Sequence, residues 1–351
     1  MAITLHDIAK ASGISVSTVS RILNKKTSKH RISKETEKLV LKKARELNYL
    51  PNQLARSLRL KKTETIGLVA PDISNPFFAY IIKSIQRVAH NLGYSIVVCD
   101  TNESLDLEVE HISLLASKGV DGLIVMPVGQ KSAHLERLVK DGTPLVVVDR
   151  SFEELKASTV VVDNQCGAYE AVEHLIGHGH RRIAIVQGIP NTYTAQGRLR
   201  GYNDALRKHA IEIDEGLIVG KTFRQESGYF ETKCLLKATH RPTAIFTTSD
   251  LITLGALQAI QEEGLDIPGD ISLVAFDDID SFAFFRCPIT AVAQPKEKMG
   301  EVAVTLLLDQ LKEPKNKEPE HITLRPRLII RKSVGRVTTP ADSGISSSLK
   351  R

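Results

Sequence analysis

Apolar positions along this chain follow two different rhythms. Near the start, Ile8 and Ala9, then Val19, Ile22 and Leu23, recur at helical spacing and predict two short amphipathic helices within residues 4–24, joined by a tight turn at Gly13. From Thr65 the rhythm changes to short β-branched runs alternating with helical stretches. The runs predict strands at 65–70, 95–100, 122–126, 145–149, 160–163, 183–187, 244–248 and 273–277. Between and after them, helices are predicted over 77–92, 106–118, 131–141, 167–178, 197–209, 226–238, 251–263 and 296–312. Strands with so little alternation are buried on both faces, as in parallel α/β sheets. Their number exceeds what one ordinary sheet holds, so two lobes are expected.

Local chemistry supports the first pair of helices. Thr4 and Asp7 have the spacing of a capping box, Gly13 suits a left-handed turn, and Ser15 is a natural N-cap for a second helix over 16–23. The apolar stripe of that helix leaves Val16, Ser17, Ser20 and Arg21 on or near its outward side. Charge gives the pair a purpose. Through Lys62 the chain carries 15 Lys and Arg against four acidic residues, a balance of +11, whereas the remainder carries 32 against 37, a balance of −5. A basic module on a charge-balanced body is the electrostatic footprint of phosphate binding, and two helices around a tight turn make it a DNA-reading helix-turn-helix.

Between the basic head and the α/β body lies Tyr49-Leu-Pro51-Asn-Gln-Leu54-Ala55-Arg56-Ser-Leu58-Arg59. Pro51 suits the first position of a helix, yet only about two turns follow before the Lys61–Lys62 pair, too few to be stable alone in water. It reads either as a solvated linker or as a segment that folds on DNA and inserts an apolar side chain into the minor groove.

Other chemistries are poorly represented. No GxGxxG, GxxxxGK[ST] or GxSxG motif is present, which weakens a catalytic reading, and no cofactor is expected. His174, His178 and His180 form the most metal-like group, but the HExxH glutamate is missing, and Asp277, Asp278 and Asp280 do not fit a calcium loop; no metal is expected. Cys99, Cys166, Cys234 and Cys287 are scattered and read as reduced packing residues. With no long apolar run and no leader-like start, the expected setting is cytoplasmic, without a membrane and at the nucleoid when bound to operator. Predicted strands ending in Asp100, Asp149, Asp163 and Asp277 suggest a cleft, because ligands of open α/β sheets bind beyond the carboxyl ends of strands.

Taken together, T-x-x-D-I-A…G-x-S-x-x-T-V-S-R-x-L-N from Thr4, P-N-x-x-A-R-x-L from Pro51, Asp72-Ile-Ser-Asn-Pro-Phe-Phe78, Gly197-Arg198-x-x-Gly201-Tyr202 and Phe276-Asp277-Asp278 resemble the LacI/GalR family of bacterial transcription regulators. The resemblance runs from Thr4 to about Val334. It implies a helical DNA-binding head over 1–48 with helix-turn-helix, a hinge helix and linker over 49–62, and an effector-binding and dimerisation body over 63–335. That body is expected to consist of two Rossmann-like lobes of the periplasmic-binding-protein type. The N-lobe would take about 63–162 and 294–324, the C-lobe about 163–293 and 325–335, and 336–351 would be a disordered tail.

What the resemblance implies for function is a homodimeric repressor on a pseudo-palindromic double-stranded operator, controlled by a small effector rather than acting as an enzyme. DNA contacts are expected from Thr4, Val16, Ser17, Thr18, Ser20, Arg21 and Asn24 in the head, and from Asn52, Ala55 and Leu58 in the hinge, with Leu58 as the minor-groove wedge. The effector positions map to Phe77, Phe78, Asp149, Asp163, Thr194, Arg198, Phe223, Asp250, Asp277 and Gln294. Carboxylates and arginine around aromatic faces suit a polyol. Thr192 and Tyr193 stand where purine-responsive relatives carry a more basic loop, so a sugar or sugar phosphate is expected ahead of a purine. Asp149 and Asp163 carry a competing expectation as helix caps, and the Phe pair as core.

Overall fold

A computed structural model of the chain describes residues 3–23, 32–49, 62–129, 131–312 and 318–337. It separates into two compact units, Met1–Thr63 and Glu64–Arg351. The predicted contacts Asn24, Asn52, Ala55 and Leu58, and the segment from 338 onward, lie outside the described residues.

In the first unit, α1 (Leu5–Ser12) and α2 (Val16–Leu23) are followed by α3 (Lys34–Glu46). The capping box at Thr4 is formed: Thr4 Oγ1 accepts from the Asp7 amide at 3.4 Å, and Asp7 Oδ2 accepts from the Thr4 amide at 2.8 Å. The Thr4 amide and the Thr4 hydroxyl, which donates to the same Oδ2 at 2.7 Å, hold the Asp7 carboxyl below the usual carboxylate range. Gly13 closes α1 with φ 68°, and Ser15 Oγ accepts from the Thr18 amide at 3.3 Å. Sequence periodicity did not reveal α3, because its run of Lys and Glu leaves only Val40 and Ala44 fully buried. Those two, one turn apart, complete a miniature core with Ile8, Val19 and Ile22.

The second unit contains two six-stranded sheets. The N-lobe sheet has the order β11-β5-β4-β3-β1-β2, with β1 (Thr65–Ala70), β2 (Ser95–Asp100), β3 (Gly122–Val125), β4 (Leu145–Val148), β5 (Ser158–Val162) and β11 (His321–Leu324), all paired in parallel. The C-lobe sheet has the order β12-β10-β9-β8-β6-β7, with β6 (Ile183–Val186), β7 (Ile218–Val219), β8 (Ala244–Thr247), β9 (Ser272–Phe276), β10 (Thr290–Ala293) and β12 (Arg327–Ile329). Its pairs are parallel except for β12, which runs antiparallel to β10. β7, β10, β11 and β12 were not anticipated. β7 has only two residues, and β11 and β12 are half-exposed edges without an apolar run.

Helices cover both faces of each sheet: α4 (Pro76–Asn91), α5 (Leu105–Ser117), α6 (Ala133–Lys140) and α11 (Lys296–Lys312) in the N-lobe, and α7 (Asn164–Gly177), α8 (Tyr193–Lys208), α9 (Gln225–Lys237) and α10 (Asp250–Glu262) in the C-lobe. The chain therefore passes between lobes three times: after β5, after β10, and between β11 and β12. Two stretches of apolar core flank each sheet, which is why its central strands are buried along their whole length. Val337 donates its amide to His178 O at 3.0 Å, tying the last described residues to the C-lobe. Among the described residues no helix is long and apolar enough to cross a membrane.

Candidate functional site

The carboxyl ends of the strands of both lobes face one cleft of about 400 Å³. From the N-lobe come Asn75, Phe77 and Phe78 after β1, Asn102 and Glu103 after β2, and Asp149 and Arg150 after β4. The C-lobe supplies Thr194 and Arg198 on α8, Thr222 and Phe223 after β7, Ser249 and Asp250 after β8, and Asp277 after β9.

Local sequence explains how these groups arrive there. Asn75 caps α4, accepting the Phe77 amide at 2.8 Å, and its Nδ2 reaches across to Asp250 Oδ1 at 3.4 Å. Phe77 and Phe78 meet edge to face with centroids 5.0 Å apart, and both belong to the N-lobe core while lining the cleft. On α8, Gly197 and Gly201 permit a close approach to α7: a Cβ would lie 2.7 Å from Asn164 Cβ at the first and 2.2 Å from Gln165 O at the second. That approach lets Arg198 Nε donate to Asn164 Oδ1 at 2.8 Å. Gly188 plays a similar part for Phe223, whose ring carbon would stand 2.1 Å from a Cβ there.

Arg198 is 3% exposed and held from several sides. Beyond Asn164, its Nη1 donates to Thr248 O and lies 3.7 Å from Asp277 Oδ2, while the guanidinium sits 3.8 Å from the centroid of Phe276. Burial pulls its pKa down, opposed by Asp277 and Asp149. Asp149 and Asp277 both adopt left-handed backbone, φ 71° and 72°, at the ends of β4 and β9. Burial pushes the Asp149 carboxyl up to about 6 despite Arg150 and Arg198. Asp250 is pushed up to about 7 by burial and by the Asp277 charge. Arg150 Nε, Thr194 Oγ1 and Asp250 Oδ2 are buried without a hydrogen-bond partner.

Two expected effector residues stand elsewhere. Asp163 caps α7, accepting the Cys166 amide at 2.9 Å, and is not among the residues that line the cleft. Gln294 is also set back from it, donating to Asp277 Oδ1 at 2.5 Å and so orienting that carboxylate. Asn75 and Glu103 line the cleft without having been anticipated. Asn75 stood in the quoted Asp72–Phe78 motif, whereas nothing local marks Glu103. Of the histidine group, His174 and His178 pack ring against ring with centroids 4.5 Å apart and His178 Nδ1 bonds His174 O, while His180 joins Thr243 Oγ1 and Gly335 O. Asp278 pairs with Arg331, and Asp280 accepts from the Tyr80 hydroxyl.

On the head, Ser17 and Arg21 are exposed on α2, and Val16, Thr18 and Ser20 are half-buried. Thr18 Oγ1 and Ser17 Oγ lie 2.9 and 3.1 Å from Ser15 Oγ, which orders the first turn. Thr4 is exposed and already engaged with Asp7.

Residues 4–52 match a family model described as bacterial regulatory proteins, lacI family, and residues 172–334 match one for a periplasmic binding protein-like domain. The HTH-type transcriptional repressor PurR of Pasteurella multocida is 36% identical over 333 residues, covering 94% of this chain and 98% of the relative. The chain belongs to the LacI family. The ribose operon repressor of Haemophilus influenzae is 35% identical over 331 residues, with coverage of 94% and 98%. A crystal structure of the lac repressor dimer bound to operator and an anti-inducer superposes with a TM-score of 0.84 at 27% identity, covering 95% of this chain and 100% of that one. This LacI-family chain is thus a helix-turn-helix DNA-binding repressor with a small-molecule effector, acting on operator DNA as a dimer. Its relatives are repressors, not enzymes.

Proposed function

We propose that this repressor works in the cytoplasm and that a neutral sugar bound between its lobes sets its operator affinity. The supporting observation is the convergence, on one cleft with aromatic faces, of buried polar atoms that have no partner: Arg150 Nε, Thr194 Oγ1 and Asp250 Oδ2. Such orphans are costly unless a ligand satisfies them, and hydroxyl groups can both donate to Asp250 and accept from Arg150. Phe78 and Phe223 offer apolar faces for the carbon side of a sugar ring. The lining holds six carboxylates (Asp72, Glu103, Asp149, Glu226, Asp250, Asp277) against three arginines (Arg150, Arg198, Arg224), which favours an uncharged polyol over its phosphate ester. The ribose operon repressor among the relatives agrees with a sugar. A second reading, a purine, is favoured by the similarity to PurR, contrary to the expectation drawn from Thr192 and Tyr193.

At the other end, Val16, Ser17 and Arg21 read base edges, with Arg21 bidentate on guanine, and Leu58 of the hinge wedges the minor groove. The ligand changes the angle between the lobes and hence whether paired hinges form, so ligand and operator affinities are reciprocally coupled. A thermal-shift screen of neutral pentoses and hexoses, their phosphate esters and purine bases tests the ligand: at a hundredfold excess over Kd, binding stabilises by about 2.7 kcal/mol. Stabilisation by purines alone overturns the sugar reading. Operator gel shifts with the hit give the sign of control. Leu58→Ala should weaken operator binding while leaving effector binding intact; unchanged gel-shift affinity rejects the wedge.

A further inference from the structure

Arg150 is the cleft's best-buried N-lobe cation, yet almost none of its donor capacity faces the cleft. Its Nη1 donates to Glu103 Oε2 at 3.0 Å and to the carbonyls of Pro127 and Val128 at 3.0 and 3.1 Å, and its Nη2 donates to Glu103 Oε1 at 2.9 Å. Nε has no hydrogen-bond partner and lies 3.9 Å from Asp149 Oδ2. Of the paired side chains Glu103 is the more accessible, 19% exposed against 5% for Arg150. A ligand therefore meets carboxylate before guanidinium.

This placement is built into the loop after β2. Asn102 and Glu103 are consecutive non-glycine residues in left-handed backbone, φ 46° and 56°, a conformation that persists only where the surroundings impose it. The imposition is visible: the Glu103 amide donates to Pro71 O at 2.9 Å and the Asn102 amide to Asp100 Oδ1 at 3.1 Å. The other buried arginine of the cleft, Arg198, holds Asn164 and Thr248 through Nε and Nη1 with Asp277 3.7 Å from Nη1, so its charge is already paired, and Arg224 is exposed.

We propose that Glu103 is a charge filter: by occupying both terminal nitrogens of Arg150 it denies the cleft a free cation, so that phosphorylated or carboxylated ligands are refused and neutral polyols admitted. The sugar part of this inference rests on the function proposed above; the filter itself does not. A like charge brought against Glu103 is repelled, so the wild-type protein should bind a neutral pentose at least about a hundredfold more tightly than its 5-phosphate. Glu103→Gln keeps the shape but removes the carboxylate on the terminal nitrogens of Arg150, leaving Asp149, 3.9 Å from Nε, as its nearest counter-charge, so that an anion in the cleft then stabilises the guanidinium.

The test is calorimetric titration and thermal shift of the full-length protein, Glu103→Gln and Glu103→Asp with a pentose, its 5-phosphate and inorganic phosphate. In Glu103→Gln the preference should move toward the ester by about tenfold or more, and inorganic phosphate should raise the melting temperature of this variant but not of wild type. Glu103→Asp, which keeps the charge, should keep the discrimination. An unchanged preference in Glu103→Gln, or no phosphate response in it, overturns the filter. If neither sugar form binds wild type while phosphate still stabilises Glu103→Gln selectively, the filter stands and the sugar reading falls. Should Glu103→Gln fail to fold, wild type decides: preference for the ester overturns the proposal, and refusal of it supports it.

Discussion

The two lobes share one strand order, and comparing equivalent loops shows how a repeated scaffold builds an asymmetric site. After the first strand of each sheet, the N-lobe presents the apolar Phe77–Phe78 pair and the C-lobe presents Thr194 and Arg198. After the second strand the chemistry is exchanged: Glu103 in the N-lobe, Phe223 in the C-lobe. After the fourth, both place an aspartate in left-handed backbone, Asp149 and Asp277. Aromatic and charged walls thus alternate around the cleft, and Phe223 lies 5.2 Å from the Arg150 guanidinium across it. A ligand with one apolar face and a rim of hydroxyls suits that alternation better than a symmetric apolar molecule.

The largest test of this comparison is to remove the C-lobe cation. Arg198→Ala leaves Asp277 buried beside Asp149 without its guanidinium and should destabilise the body by about 3–5 kcal/mol, read by calorimetric unfolding, with loss of the effector response. A change under 1 kcal/mol would mean that the N-lobe charges carry the site alone. Next, the two aromatics should separate. Phe78→Ala should cost about 3 kcal/mol or more because Phe78 is 5% exposed and packed in the N-lobe core. Phe223→Ala, at a half-buried position, should cost only about 1 kcal/mol of stability but weaken ligand binding about tenfold. Equal stability losses would break the distinction.

The aspartates give a third test. Asp149 and Asp250 have folded-state values of about 6 and about 7, above their ordinary range, so the folded protein binds protons more tightly than the unfolded chain. Their contribution is fully present below about pH 4 and is lost as pH rises through 6 and 7. For the ligand-free body, the melting temperature contributed by these groups should therefore fall between pH 5 and pH 8; Asp149→Asn together with Asp250→Asn should flatten that slope. An undiminished slope would assign it elsewhere. The smallest effect is expected from Asn75→Ala, which removes the α4 cap and the 3.4 Å contact to Asp250 for about 1 kcal/mol, measurable as a shift in melting temperature.

Legibility differed sharply between scaffold and site. Each of the eight predicted body strands appears with small shifts at its ends: seven are buried parallel strands, which must be continuous apolar runs, and the edge strand β2 is largely exposed but β-branched. Gly197 and Gly201 stood in the sequence only as part of a quoted motif, and the close helix contact they permit became visible only with Asn164 and Gln165 opposite them. Asp163 and Asp149 look alike in sequence, each closing a β-branched run. One caps a helix and the other faces the cleft, a choice made by whether the next residues turn at once into α7 or run as irregular chain to β5.

By itself, then, the sequence determined the helix-turn-helix and the two-lobed α/β class, because local periodicity, capping and charge segregation act over a few residues and do not depend on distant partners; the cleft positions beyond the strand-end aspartates came from the family resemblance. Only tertiary structure decided which charges remain available to a ligand. Arg150 and Glu103 are 47 positions apart, and Arg198 and Asn164 are 34 apart. Ion-pair energies depend on distance and burial rather than on chain order, so the conversion of arginines into paired, masked groups is written in the fold.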